Sequence, residues 1–253
     1  MGVEALLLAA VGGVLIGLLL TLFGGGGSVL ATPWLMFVVG IVDTHAAIGT
    51  SAAAVAVNAA GGLAAQARAG RVKWPCAGVF GVAGLAGALT GAQLAMRVDG
   101  AVLMNWFAVA MIAIALSMLV PRQSEGDPGV HLTARMVLKL APVGLVAGLA
   151  AGFFGIGGGF LIAPGLMAAT GMTLANAGAS SLVSVALFGS ATSLSYAASG
   201  QVVWSVFGAL VAGGAVGTLA ALPLARRLEN RAVLARTLFA AMVIMVAIYI
   251  LVR

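Results

Sequence analysis

Charge is the scarcest commodity in this chain. Of 253 residues only 7% are charged, six acidic against twelve basic, where a soluble domain carries about 25%. A sequence that is 62% hydrophobic and so poor in charge cannot cover a globular surface, which excludes a water-soluble protein and implies one embedded in a bilayer. Segments of alternating apolar and polar residues are missing too, which excludes a transmembrane β-barrel. Cys76 is the single cysteine, so neither an internal disulfide nor a cysteine metal cluster can form; at the start of an apolar helix it reads as a small packing residue. The only histidines are His45 and His131. There is no HExxH, no GxSxG elbow and no Ser/His/Asp set at membrane depth, so the sequence predicts no enzyme, no metal and no cofactor. A formal charge of +6 raises the question of nucleic acid, but the basic residues are scattered through short loops without a stripe of stacking aromatics. The N-terminus MGVEALLLAAVGG has no basic n-region and carries Glu4, so it is read as the first helix of the mature chain rather than a cleaved signal.

What the chain has in excess is glycine, 37 residues of it, and the glycines are organised. Residues 21–33 read TLFGGGGSVLATP and residues 152–164 read GFFGIGGGFLIAP. Pro33 and Pro164 stand 131 residues apart, and the same offset relates Gly13 to Gly144, Gly17 to Gly148, Gly24 to Gly155, Gly26 to Gly157 and Gly40 to Gly171. One residue is then deleted, and an offset of 130 relates Thr50-Ser51 to Ser180-Ser181, Gly70 to Gly200, Trp74 to Trp204, Gly84 to Gly214, Gly87 to Gly217 and Arg97 to Arg227. The chain is one unit written twice. Duplication on this scale in a hydrophobic chain is a plan of secondary transporters, whose substrates bind where discontinuous helices of the two halves meet.

The apolar stretches cover residues 4–23, 29–42, 46–67, 74–96 and 101–120 in the first half, and 134–154, 160–170, 174–198, 203–224 and 232–252 in the second. Four in each half suit the roughly 20 residues that a bilayer core requires; the second is too short, and its ends must lie inside the membrane, buried in protein or beside water. Basic residues arbitrate the topology. If all five segments cross, one face collects Arg68, Arg71, Lys73, Arg122, Arg135, Lys139, Arg226, Arg227, Arg231 and Arg236, leaving Arg97 and Arg253 opposite. If the short ones turn back, the bias nearly vanishes. Since cytoplasmic loops carry the excess of Lys and Arg, the prediction is an all-α polytopic membrane protein of two inverted-topology repeats with about five helical segments each. Its short glycine-interrupted helices meet near the midplane and both termini face outward. Residues 1–120 form the first repeat, 121–133 a polar linker and 134–253 the second repeat.

Within that frame the candidate binding groups are the glycine runs, Gly25, Gly26, Gly27 and Ser28 in one half and Gly157, Gly158 and Gly159 in the other. Glycine lets backbone N–H groups approach a ligand closely, and a helix start adds unpaired donors and a positive dipole end, together an anion site; Ser28 is placed to serve as N-cap. Four near-contiguous glycines each weaken a helix by roughly 1 kcal/mol against alanine, a cost that packing alone does not require, whereas isolated glycines such as Gly84 and Gly87 read as packing residues. A phosphate loop needs a preceding strand, and here a membrane-length helix precedes each run. Thr50, Ser51, Ser180 and Ser181 are duplicated hydroxyls that suit an oxyanion, against the alternative that they bond back to their own helix. Asn58, Ser184, Ser190 and Tyr196 are weaker candidates. Asp43 and His45 are ionisable groups next to a membrane segment, hence candidates for proton coupling, although a surface loop accommodates them equally. No Lys or Arg falls in the middle of a segment, so a bound anion is held by amides, hydroxyls and helix dipoles.

These residues resemble a known family. The paired glycine runs with their prolines (Gly24 to Ser28 with Pro33, Gly155 to Gly159 with Pro164), followed by GTS or ASS and then by GxVxW ending at Trp74 and Trp204, are similar to the TauE/SafE family of sulfite and organosulfonate exporters, also called the 4-toluene sulfonate uptake permease family. The resemblance covers essentially the whole chain. It implies a carrier of small sulfur oxyanions or sulfonates in the bacterial inner membrane, with a lipid bilayer and a small anion as its partners. The copies differ where Gly25 and Ser28 face Ile156 and Gly159, and where Asp43-Thr44-His45 lacks a charged counterpart. A small-anion channel and a non-transporting membrane scaffold are the alternatives.

Overall fold

In the computed structural model residues 2–119, 126–127, 129–155, 159–228 and 232–252 are described. They form helices at the positions that hydropathy indicates: α1 (Val3–Phe23), a 3-10 segment (Gly24–Leu30) running into α2 (Ala31–Phe37), α3 (Thr44–Arg68), α4 (Trp74–Ala95), α5 (Gly100–Leu119), α6 (Ala134–Phe154), α7 (Gly159–Thr170), α8 (Leu174–Ala198), α9 (Trp204–Leu228) and α10 (Ala232–Val252). No strand occurs among the described residues; a single bridge joins Asp127 to Met172. Among the described residues six helices, α1, α3, α4, α6, α8 and α9, are long and apolar enough to cross a membrane. The protein is an all-helical, multi-span membrane protein.

The duplicated glycines build the same interface twice. Gly144, Gly148 and Gly152 of α6 lie against the backbone of Phe80, Gly84 and Ala88 of α4, while Gly87 and Gly91 of α4 lie against Leu145, Leu149 and Phe153 of α6. In the counterpart contact Gly13 and Gly17 of α1 meet Leu210 and Gly214 of α9, and Gly217 meets Val14 and Leu18. Between lipid-exposed helices there is no hydrophobic drive to associate, so close approach through small residues supplies the attraction. Gly84 and Gly87 are packing residues, as their isolation in the sequence suggests.

These contacts also fix helix directions. In both glycine interfaces residue numbers rise together, so α4 runs parallel to α6 and α1 parallel to α9. Between α3 and α8 they run oppositely: Gly49 meets Tyr196, Ala52 meets Gly189 and Gly62 meets Leu182, so this central pair is antiparallel. Phe80 and Phe188 stack with centroids 6.4 Å apart where α4 meets α8. At the periphery α5 and α10 pack on each other through Phe107, Met111, Ala240, Val243 and Ala247.

The short segments differ in detail from expectation. The glycines of the first run continue as a 3-10 helix into α2, and Ser28, expected to cap a new helix, lies inside that tight turn; Leu30 precedes α2 and offers no side-chain cap. Gly155 ends α6 in the left-handed region at φ 66°, a position that suits glycine. Trp34 Nε1 donates to Leu8 O at 3.0 Å, so α2 has returned along most of α1.

The third helix of each half begins on a side-chain cap. Asp43 accepts from His45 N–H at 2.9 Å and Thr173 accepts from Asn176 N–H at 3.3 Å. Asp43→Ala and Thr173→Ala are each expected to cost about 1 kcal/mol and, lying at opposite ends of the α3/α8 pair, to add within roughly 0.5 kcal/mol. Unfolding midpoints of the detergent-solubilised single and double variants check this.

Candidate functional site

The site grows out of the antiparallel pair α3/α8 and the two interrupted segments. The 3-10 segment packs directly on α7 and on α8, so the first glycine run meets the second short helix inside the bundle. At the second run Gly155 presses on the Ile48 side chain of α3. Gly26, Gly27 and Ser28 are buried. Gly25 belongs to the same 3-10 segment and Gly159 begins α7. Gly157 and Gly158 lie outside the described residues.

Near Ile48 a hydroxyl pair forms. Ser51 Oγ lies 2.8 Å from Thr32 Oγ1 and 3.0 Å from Ile48 O, so Ser51 joins α3 to α2 immediately before Pro33. Ser181 donates back to Gly178 O at 2.8 Å, the counterpart of the Ser51 to Ile48 bond. Thr32 has Ala163 as its counterpart, so the hydroxyl pair occurs in one half only. Thr50 and Ser180 have a different use: Thr50 Oγ1 accepts from Val203 N–H at 2.9 Å, and Ser180 Oγ accepts from Lys73 N–H at 2.9 Å. Each spends a lone pair on the start of a helix in the other half.

Every buried polar side chain among the described residues is neutral: Thr21, Ser28, Thr32, Thr44, Thr50, Ser51, Asn58, Thr170, Ser180, Ser181, Ser184, Thr192 and Thr218. Ser184 Oγ and Thr192 Oγ1, both on α8, are buried without a hydrogen-bond partner. In a membrane interior, where no bulk water pairs them, such groups are free to receive a ligand or water. Asn58 reaches Leu210 O at a long 3.5 Å and stands against Gly214, an inter-helix contact. Ser190 is exposed and faces away from the bundle interior.

Asp43 and His45 lie at the bundle end where α3 begins. Asp43 is exposed and caps the helix; His45 Nδ1 is 3.8 Å from Asp43 Oδ1, its Nε2 is 3.3 Å from Ala95 O, and its ring lies over Tyr196 at 6.2 Å. Thr50 and Ser51 are between one and two turns deeper along the same helix. No cluster of His, Cys, Asp and Glu suited to a metal occurs among the described residues.

Reasoning from sequence missed Thr32 and Thr192. A signal for Thr32 was present, since ATP at residues 31–33 aligns with IAP at residues 162–164 and the mismatch places an extra hydroxyl beside the motif proline. Thr192 stands where the other half has Gly62 and carried no comparable signal.

Comparison with known proteins agrees in kind. A protein of Xylella fastidiosa (strain Temecula1) named "Probable membrane transporter protein" is 42% identical over 100% of this chain and 97% of its own length. A "Probable membrane transporter protein YunE" of Bacillus subtilis is 25% identical over 87% of this chain and 89% of its own. No solved structure gives a significant match. The family described as "Sulfite exporter TauE/SafE" matches residues 9–250. The chain, with its doubled glycine interfaces and its neutral hydroxyl-lined interior, is a membrane transporter of the TauE/SafE sulfite exporter family.

Proposed function

We propose that the protein is a secondary carrier that exports small sulfur-containing anions, sulfite or short organosulfonates, across the bacterial inner membrane by alternating access. The observation that carries this reading is the set of buried, uncharged polar side chains on α3 and α8, the helices against which the interrupted segments α2 and α7 pack. In this reading a small oxyanion passes Ser51 with Thr32 towards one end of the α3/α8 pair and Ser181 with Ser184 towards the other, and Ser28 and the amides of Gly25, Gly26, Gly27, Gly157, Gly158 and Gly159 bind it on the way. Thr50 and Ser180 stand one residue before Ser51 and Ser181. Neutral donors desolvate an anion without the deep well of a buried Lys or Arg, so the ligand is also released.

The two repeats, residues 1–120 and 134–253, are inverted in this reading. Antiparallel α3/α8, with α1 parallel to α9 and α4 parallel to α6, is the set of directions produced by five passes per half; four passes would make α3 and α8 parallel. The same directions gather Arg68, Arg71, Lys73, Arg135 and Lys139 at one end with Arg97 at the other. With the positive end taken as cytoplasmic, both termini lie outside in this reading. Purified protein in liposomes is expected to move labelled sulfite with saturable kinetics and to be accelerated by unlabelled sulfite on the opposite side. Linear, unsaturable flux would make it a channel, and absence of flux with co-purification of another membrane protein would make it a scaffold.

A further inference from the structure

The duplicated hydroxyls Thr50 and Ser180 make the same bond in opposite directions across the two halves. Thr50, on α3 of the first half, accepts from Val203 N–H at the start of α9 in the second; Ser180, on α8 of the second half, accepts from Lys73 N–H at the start of α4 in the first. Both donors and both acceptors are related by the 130-residue offset, and both hydroxyl residues are fully buried. The register of α3 against α8 brings Gly49 level with Tyr196 and Gly62 level with Leu182. Thr50 and Ser180 therefore sit about 14 residues apart along this pair, roughly 20 Å at 1.5 Å per residue. One bond lies towards each end of the bundle.

We infer that Thr50 and Ser180 are a matched pair of clasps, each holding the halves together towards one membrane face, and that releasing one of them opens the bundle on that face alone. The oxygen of each receives the N–H of a helix that belongs to the opposite half, so each bond ties one half to the other. Backbone N–H groups at a helix start have no partner within their own helix, so each clasp supplies an acceptor from the opposite half to such a donor. A rocking motion of one half against the other cannot keep both bonds at 2.9 Å: opening at the end where α3 begins separates Thr50 from Val203, and opening at the end where α8 begins separates Ser180 from Lys73. The inference rests on the alternating-access reading and assigns its two gates. His45 adds a contact from α3 to the end of α4 on the Thr50 side only, through Ala95 O.

The test uses the full-length protein with Cys76→Ala and the reporter substitution Ser184→Cys, chosen because Ser184 Oγ is buried and makes no hydrogen bond that a thiol would break. A membrane-impermeant maleimide is applied to right-side-out and to inverted vesicles. Thr50→Val is expected to raise the labelling rate about fivefold, the population change set by one lost hydrogen bond, only from the face at which α3 begins. Ser180→Ala is expected to do so only from the opposite face. Thr50→Ser and Ser180→Thr, which keep the accepting oxygen, should label as the reporter protein alone does, and they keep the inference testable should the hydroxyl-free variants fail to insert. Acceleration from the same face in both variants, no acceleration in either, or acceleration in the conservative variants overturns the clasps. Equal labelling from both faces of the reporter protein itself overturns instead the carrier reading, in favour of a channel.

Discussion

Gly148→Val is expected to leave almost no folded protein in the membrane. A Cβ at Gly148 would run into the carbonyl oxygen of Gly84, and both atoms are part of helix backbones that cannot move aside as a side chain would. The only relief is to push α6 away from α4, which also unseats Gly144 from Phe80 and Gly152 from Ala88. Overpacking a core costs typically 1–3 kcal/mol when side chains can adjust; here the backbones meet directly, and native stability of about 5–15 kcal/mol is spent on several contacts at once. Gly17→Val should fail in the same way, because its Cβ would meet Gly214 in the counterpart interface. Gly78→Ala and Gly208→Ala face open space and serve as controls that retain wild-type yield. Fluorescence size-exclusion of membrane extracts measures the outcome, and a monodisperse Gly148→Val protein would show that the two interfaces are not as tight as the structure has them.

Gly26→Val should abolish sulfite flux, by at least about 100-fold, while leaving a protein that inserts and unfolds near the wild-type temperature. Gly26 is buried in the 3-10 segment that packs on α7 and α8. It lies within a 3-10 helix, whose residues have negative φ, so a β-branched residue does not meet left-handed strain there. What valine changes is the space and the amide surface facing the proposed anion. A loss of this size corresponds to about 2.7 kcal/mol of differential stabilisation, the scale on which one or two charge-assisted hydrogen bonds act. Gly27→Val provides the contrast: its Cβ would strike the backbone of Leu19 and Leu20, so it should lose the fold together with the flux. Liposome flux set beside a thermal unfolding curve separates the two, and unchanged flux in a well-folded Gly26→Val protein removes the first glycine run from the site.

The glycine interfaces show how far the sequence carries. Gly13 with Gly144, Gly17 with Gly148 and Gly84 with Gly214 were visible as repeats at fixed offsets. Their separation from the clustered runs already marked them as packing positions, but which helix each one packs against was not visible. The pairing of α1 with α9 and of α4 with α6 crosses from one half to the other, and nothing local in either helix names its partner. Ser28 shows where a local rule misleads. Read alone, a serine after four glycines before an apolar run is an N-cap signal; in the structure the 3-10 turn runs unbroken into α2, so no new helix begins there. Asp43, an ionisable candidate in the sequence, stands at a bundle end, where it is also the N-cap of α3.

Hydropathy and the punctuation by glycine and proline determined the class, the ten helical segments, their order and their duplication, because these depend on which residues tolerate lipid and which break a helix within a few positions. The use of the duplicated hydroxyls was decided only in three dimensions. Thr50 meets a donor 153 residues away and Ser180 one 107 residues away. Such a bond exists only once the two halves have docked, because the donor and the accepting oxygen belong to segments that nothing local in the chain brings together.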